Sequence, residues 1–255
     1  MTVGQLLRRW RQVRRLSQLE LAIQAEVSTR HLSFVETGRA APSREMLLRL
    51  ADHLDVPLRD RNELLLAAGY APAYPAAPLD SPELTAVRDA IRQILAGHEP
   101  YPAVVVDRAW RLVDANTSVA VLTEGVAPEL LAPPLNVMRL TLHPDGMAPR
   151  VANLPQWRAH LLERMRRQLL TGDDELAALY DELRGYPGGE PGADVETPGP
   201  SSFAVPLRLR HRERELAFFS TTATFGTPLD ITVAELAIES FFPADDDTRK
   251  YLQSL

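Results

Sequence analysis

The stretch Leu16–Arg39, LSQLELAIQAEVSTRHLSFVETGR, constrains this chain more than any other. Its residues fix two short helices and the turn between them. Ser17 followed by Glu20 is a capping box: a hydroxyl that accepts from a first-turn N–H, and a carboxylate that reaches back to the cap. Leu21, Ala22 and Ala25 then recur at helical spacing, and the pattern breaks at Glu26-Val27. Ser28 caps a second helix in which Leu32 and Val35 share one face while Thr29, Arg30, Ser33 and Phe34 share the other. Thr37-Gly38 closes it, since glycine enters the left-handed region without a Cβ penalty. Taken alone, such a pair is either an ordinary helical hairpin with a solvated polar face or a face shaped for a partner.

Over roughly Val3 to Leu66 the sequence resembles the DNA-binding domain of lambdoid phage repressors and the Xre family. The resemblance assigns roles by position. Gln18, opening the first motif helix, bonds a phosphate. Ser28, Thr29 and Arg30 meet base edges, with Ser33 and Phe34 about one turn later, and Arg39 and Arg44 meet phosphates beside the groove. Glu36 pairs with Arg11 of the first helix. One position departs from the pattern: Glu26 stands in the inter-helix turn where glycine is usual, and a non-glycine residue at positive φ costs on the order of 1 kcal/mol. The implied partner is double-stranded DNA. One short helix reads few bases, so a homodimer on a palindromic operator, with two-fold related heads about 34 Å apart, is expected. A repressor-like head used as a protein-interaction module is the competing reading.

Charge is distributed in keeping with a DNA-binding head. The net charge is −6, yet residues 1–70 hold 11 Arg against 8 acidic residues, and the remainder holds 17 basic against 26 acidic. Only a basic head needs to meet phosphate. There is no cysteine, hence neither disulfide nor thiolate metal site. No run approaches the roughly 20 apolar residues of a membrane span, so a soluble cytoplasmic protein with no membrane partner is expected.

The chain divides into a head at 1–70, a Pro-rich linker at 71–81 (APAYPAAPLDS) that reads as semi-rigid and extended, and a body at 82–255. Further head helices start before Leu6-Leu7-Trp10, at Ser43 and at Arg59. In the body, a helix follows Ser81-Pro82-Glu83. Ala103–Asp107 and Arg111–Asp114 suggest a hairpin, and Asn116–Thr123 a helix. This opening resembles PAS-type sensor domains. Helices are expected over Trp157–Leu170 and Asp173–Leu183, a loop over Gly185–Pro200, and strands over Phe203–Leu209 and Leu216–Phe225. Leu229–Phe242 is ambiguous by pattern. The compact segment Asn136–Trp157, with the head, is similar to the MmyB-like regulators, and that resemblance favours a strand for Leu229–Phe242. The fold expected is an all-α five-helix lambda-repressor-like head followed by an α+β PAS-like domain, its antiparallel sheet of about five strands covered by helices on one face.

That resemblance implies a small apolar ligand, a fatty acid or something similar, and no required cofactor. Candidate pocket residues are Asn136, Met138, Arg139, His143, Trp157, Phe203, Val205 and Phe218, with Val104, Val106 and Leu140 beside them. Arg139 or His143 is placed to hold a carboxylate; an internal ion pair is an equal reading for Arg139. The six histidines are scattered, and nucleophile-elbow, phosphate-loop and dinucleotide motifs are absent, so catalysis is not expected. Asp245-Asp246-Asp247 reads as a solvated acidic tail rather than a metal site.

Overall fold

The computed structural model describes residues 1–169, 173–189 and 204–255, which cluster into two compact units. The first unit is Met1–Leu84 together with Gly226–Ala234, and the second is Thr85–Phe225 with Glu235–Leu255. Leu170, Phe203 and most of the Gly185–Pro200 stretch lie outside the described residues.

The first unit opens with α1 (Val3–Val13), α2 (Gln18–Gln24), α3 (Thr29–Glu36), α4 (Arg44–His53) and α5 (Leu58–Ala67). The first four each begin at a hydroxyl cap: Thr2, Ser17, Ser28 and Ser43 accept from an N–H of the first turn. Thr2 and Ser17 form full capping boxes with Gln5 and Glu20. Behind these caps Leu7, Leu21, Leu32, Val35, Leu47, Leu50 and Leu65 are wholly buried. The linker does not run free beyond α5. The Asn62 carboxamide accepts from Ala73 N–H (2.8 Å) and Tyr74 N–H (3.1 Å) and donates to the Tyr74 carbonyl (2.7 Å). Three bonds from one side chain hold a segment whose prolines alone suggested an extended spacer.

The second unit begins with α6 (Thr85–Gly97), followed by β1 (Ala103–Val106), β2 (Leu112–Ala115), α7 (Ala120–Thr123), α8 (Pro128–Leu131), α9 (Val137–Leu142), α10 (Leu154–Gln168) and α11 (Asp174–Arg184). Then come β3 (Leu207–His211), β4 (Arg214–Ala223), α12 (Ile231–Ala234, in the first unit), β5 (Ala237–Pro243) and α13 (Asp246–Leu252). Among the described residues the strands form one antiparallel sheet in the order β2-β1-β5-β4-β3. The last strand is thus the central one, and α+β is the class expected.

Three local expectations are corrected. The strand expected from Phe203 is seen only from Leu207: Pro206 has no N–H for the ladder, and the Asn153 side chain takes both the Pro206 carbonyl (2.8 Å) and the Arg208 N–H (3.0 Å). Leu229–Phe242 is not one strand. Asp230 accepts from Thr232 N–H at 2.7 Å and turns the chain into α12 before β5 begins. The triple aspartate is not a tail: Asp245 caps α13 by accepting from Thr248 N–H at 2.7 Å, with Asp246 and Asp247 in its first turn.

Candidate nucleic-acid interface and ligand pocket

The rear of α3 is locked. Arg11 grips Glu36 with Nε (2.7 Å) and Nη2 (2.8 Å) and holds the Leu16 carbonyl with Nη1 (2.8 Å). Gln18 Nε2 donates to the same carboxylate at 2.8 Å, a bond that uses one of its two amide hydrogens. Burial pushes the Glu36 carboxyl up, but the bonds from Arg11 and Gln18 outweigh it and hold it below the usual range. Gly4 of α1 sits so close that a Cβ would lie 2.3 Å from the Val35 carbonyl and 2.8 Å from that of Glu36. Sequence reading passed over this residue, because the contact is made far along the chain.

The front of α3 is open. Ser28 and Arg30 are exposed, and Thr29, Ser33 and Phe34 half-buried. The Arg30 guanidinium lies 5.3 Å from the Phe34 ring, a cation–π contact that orders the fork before any partner arrives. Arg39 and Arg44 flank the helix and are exposed. Glu26 adopts φ 53°, so the turn keeps the left-handed geometry without glycine. A rigid helix with an arginine fork, a hydroxyl and an aromatic edge on its open side has the chemistry for major-groove contacts.

The second unit holds an apolar cavity that opens to solvent. Its floor is the sheet: Val104, which pairs with Ala115 on one side and Glu239 on the other, lines it together with both partners. The walls come from Leu122 and Thr123 of α7, Met138, Leu140 and Thr141 of α9, and Trp157 and Leu161 of α10. Of the residues expected here from sequence, Val104, Met138, Leu140 and Trp157 line the cavity. Val106 and Phe218 are buried in the surrounding core and Val205 packs against it, none of them lining the cavity. Phe203 is outside the described residues.

Asn136, Arg139 and His143 serve structure instead. Asn136 caps α9, accepting from Met138 and Arg139 N–H at 3.1 Å each, and donates to the Ala109 carbonyl at 2.8 Å. Arg139 makes two 2.7 Å bonds to Glu182, which also accepts from the Tyr186 hydroxyl. The Arg139 hydrogen bond carries the Glu182 carboxyl down to about 2, against the opposing push of burial. Burial, with the Glu182 contact, lifts the Tyr186 hydroxyl to about 12. His143 Nδ1 accepts from Asp145 N–H (3.0 Å) and its ring meets Tyr186 edge-on at 5.0 Å. Of the two readings of Arg139, the internal ion pair is the one the geometry contains. Among the lining residues that the sequence did not point to is Glu239, the one charged side chain on the cavity wall among the described residues. Its alternation with Ala237 and Phe241 was the available signal, since alternate strand residues share a face.

A helix-turn-helix with an open recognition face, joined in one chain to a pocketed α+β domain, defines a class: DNA-binding regulators that respond to a small molecule. Residues 2–64 match a helix-turn-helix domain model. Residues 87–255 match the model for the MmyB-like transcription regulator ligand binding domain. The chain belongs to that family of MmyB-like transcription regulators. The two matched models describe regulatory domains, one a helix-turn-helix and one ligand-binding. No curated protein matches the chain. Among the described residues no helix is long and apolar enough to cross a membrane.

Proposed function

We propose that this protein acts as a homodimer on a palindromic operator, reads it with α3, and changes its affinity for that site when a small aliphatic molecule fills the cavity. Fatty acids and their relatives are the ligand class the family resemblance suggests. Arg30 presents a bidentate fork to guanine O6 and N7, Thr29 and Phe34 pack on a thymine methyl, and Gln18, Arg39 and Arg44 hold phosphates. The observation that carries the reading is the contrast on α3: Glu36 and the core side locked by Arg11, Gln18 and Gly4, the Arg30–Phe34 side left open.

A route from pocket to head is built into the chain. The β4–β5 connection belongs to the first unit, where Asp230 accepts from Ala77 N–H (3.0 Å), Ile231 N–H donates to the Pro75 carbonyl (2.8 Å) and Thr232 Oγ1 donates to the Ala77 carbonyl (2.7 Å). β5, which follows directly, carries Glu239 and Phe241 of the cavity. A ligand that shifts β5 therefore pulls on the linker.

Selection of duplexes from a random pool with the full-length chain tests this reading. Enrichment of an inverted repeat supports it, and a pool that stays random overturns it. The protein-interaction alternative draws on Leu19 and Ile23, one turn apart on α2 and 58% and 68% exposed. It gains if the chain shows no salt-dependent preference for any duplex.

A further inference from the structure

The α7 wall of the cavity is held in place by side chains. Leu122 and Thr123 of α7 line the cavity, as does Val119 just before it. Among the described residues no backbone–backbone hydrogen bond joins residues 120–126 to another element. Arg150 supplies one tie: its guanidinium donates to the Val121 carbonyl at 3.3 Å and to the Leu122 carbonyl. A second tie stands at the end of α7. Glu124 Oε2 is 2.7 Å from Nδ1 of His211, the last residue of β3, and the first residue of that strand, Leu207, is also on the cavity wall. Gly125 follows at φ 74°, with open space where a Cβ would stand, so the chain can pivot there without collision.

Given that the cavity takes a small molecule, which rests on the function proposed above, the geometry points to α7 as its gate, latched by Arg150 and by the His211–Glu124 contact and released by acid. His211 is 4% exposed. Around it stand Glu124 beyond α7, Arg150, Arg212 in the β3–β4 turn, and Tyr251 of α13, whose ring meets the imidazole edge-on at 5.7 Å. Arg214 lies over that tyrosine ring at 5.3 Å. Glu124 is shared with Arg212 at 3.8 Å and keeps nearly half of its side chain in solvent. Burial therefore holds the imidazole below the usual histidine range in spite of Glu124, and Arg212 and Arg150 push the same way. With the latch parted, His211 reaches solvent and takes up a proton near the ordinary value of about 6.5. In the latched form it resists protonation to lower pH. Between those two points each unit of acidification favours the parted form by at most about tenfold, and release through it quickens in proportion. Arg150 stays charged throughout, so it sets the resting strength of the latch and not its response to pH.

The test loads the full-length chain with Nile red, an uncharged apolar dye, and follows its release into excess cyclodextrin by stopped flow at about pH 7.5 and about pH 5.5, either side of the free histidine value. The expected result is release about threefold to tenfold faster at the lower pH. His211→Phe, which keeps a buried ring but cannot titrate, loses the acceleration. Glu124→Gln removes the one group that favours a latched imidazolium, so it enlarges the ratio. His160→Gln leaves the ratio in place; His160, stacked on Trp157 at 5.4 Å, is the histidine beside a lining residue that this control removes. No acceleration in the wild-type chain, an acceleration that survives His211→Phe, or one lost in His160→Gln alone overturns the latch and leaves the pocket reading standing. Should His211→Phe not fold, a Glu124→Gln ratio no larger than that of the wild-type chain overturns it. Dye that fails to bind, or binds unaffected by the cavity-filling Leu161→Phe, overturns the pocket reading and the gate with it.

Discussion

Glu182 shows how a single side chain that looks like a ligand anchor's neighbour serves stability. Its carboxyl is held down at about 2 in the fold, well below the usual carboxylate range, because Arg139 clasps it with two hydrogen bonds. A folded pKa below the unfolded one gives stability that is complete above the unfolded value and lost as pH falls through the folded one. The Arg139–Glu182 pair therefore contributes fully above about pH 4.5 and fades toward pH 2. Both partners keep more than a third of their side-chain surface in solvent, so screening trims the gain. Urea midpoints of the wild-type chain and Glu182→Gln, measured from pH 7 downward, should differ at neutral pH, draw together below about pH 4.5 and converge toward pH 2. A difference that persists unchanged at low pH would contradict the assignment. Arg150 illustrates the opposite environment: burial lowers its pKa, and its guanidinium is aimed at the Val121 and Leu122 carbonyls instead of a carboxylate.

At the scale of elements, the placing of α3 depends on a residue outside it. A methyl at position 4 would collide with the carbonyls that end α3, and backbone cannot swing aside as a flexible side chain can. Gly4→Ala should destabilise the first unit by roughly 1–3 kcal/mol and speed hydrogen exchange of the α1 and α3 amides. Unchanged exchange there would show that the two helices part at little cost. The sequence revealed the head's helices because caps and apolar spacing are local signals: Ser17-Glu20 and Ser28 each mark a helix start within four residues. Gly4 left no such mark, and neither did the Asn62 clasp on the linker. In the body, the pocket was legible in part. Met138 and Arg139 are neighbours on α9, about 100° apart around the helix, and pattern alone did not say which faced the cavity. Glu239 was hidden because the partner that permits its burial, Arg164, lies 75 residues earlier.

At the scale of the molecule, the proposed coupling of sensing to reading runs through the β4–β5 connection. Asp230 is 8% exposed and joins α12 to the linker backbone at Ala77. Asp230→Ala should leave operator binding and ligand binding each near wild type while reducing the effect of one on the other, a coupling typically of about 1–3 kcal/mol. Operator affinity measured with and without saturating ligand checks this. An intact ligand effect in the variant would place the route elsewhere. Base reading by the open side of α3 is tested by the affinity of the full-length chain and of Arg30→Ala for a selected duplex and a random one. The substitution should weaken binding to the selected duplex by roughly 1–3 kcal/mol and leave the random duplex nearly unaffected. Equal losses on both duplexes, or none on either, would contradict base reading by α3.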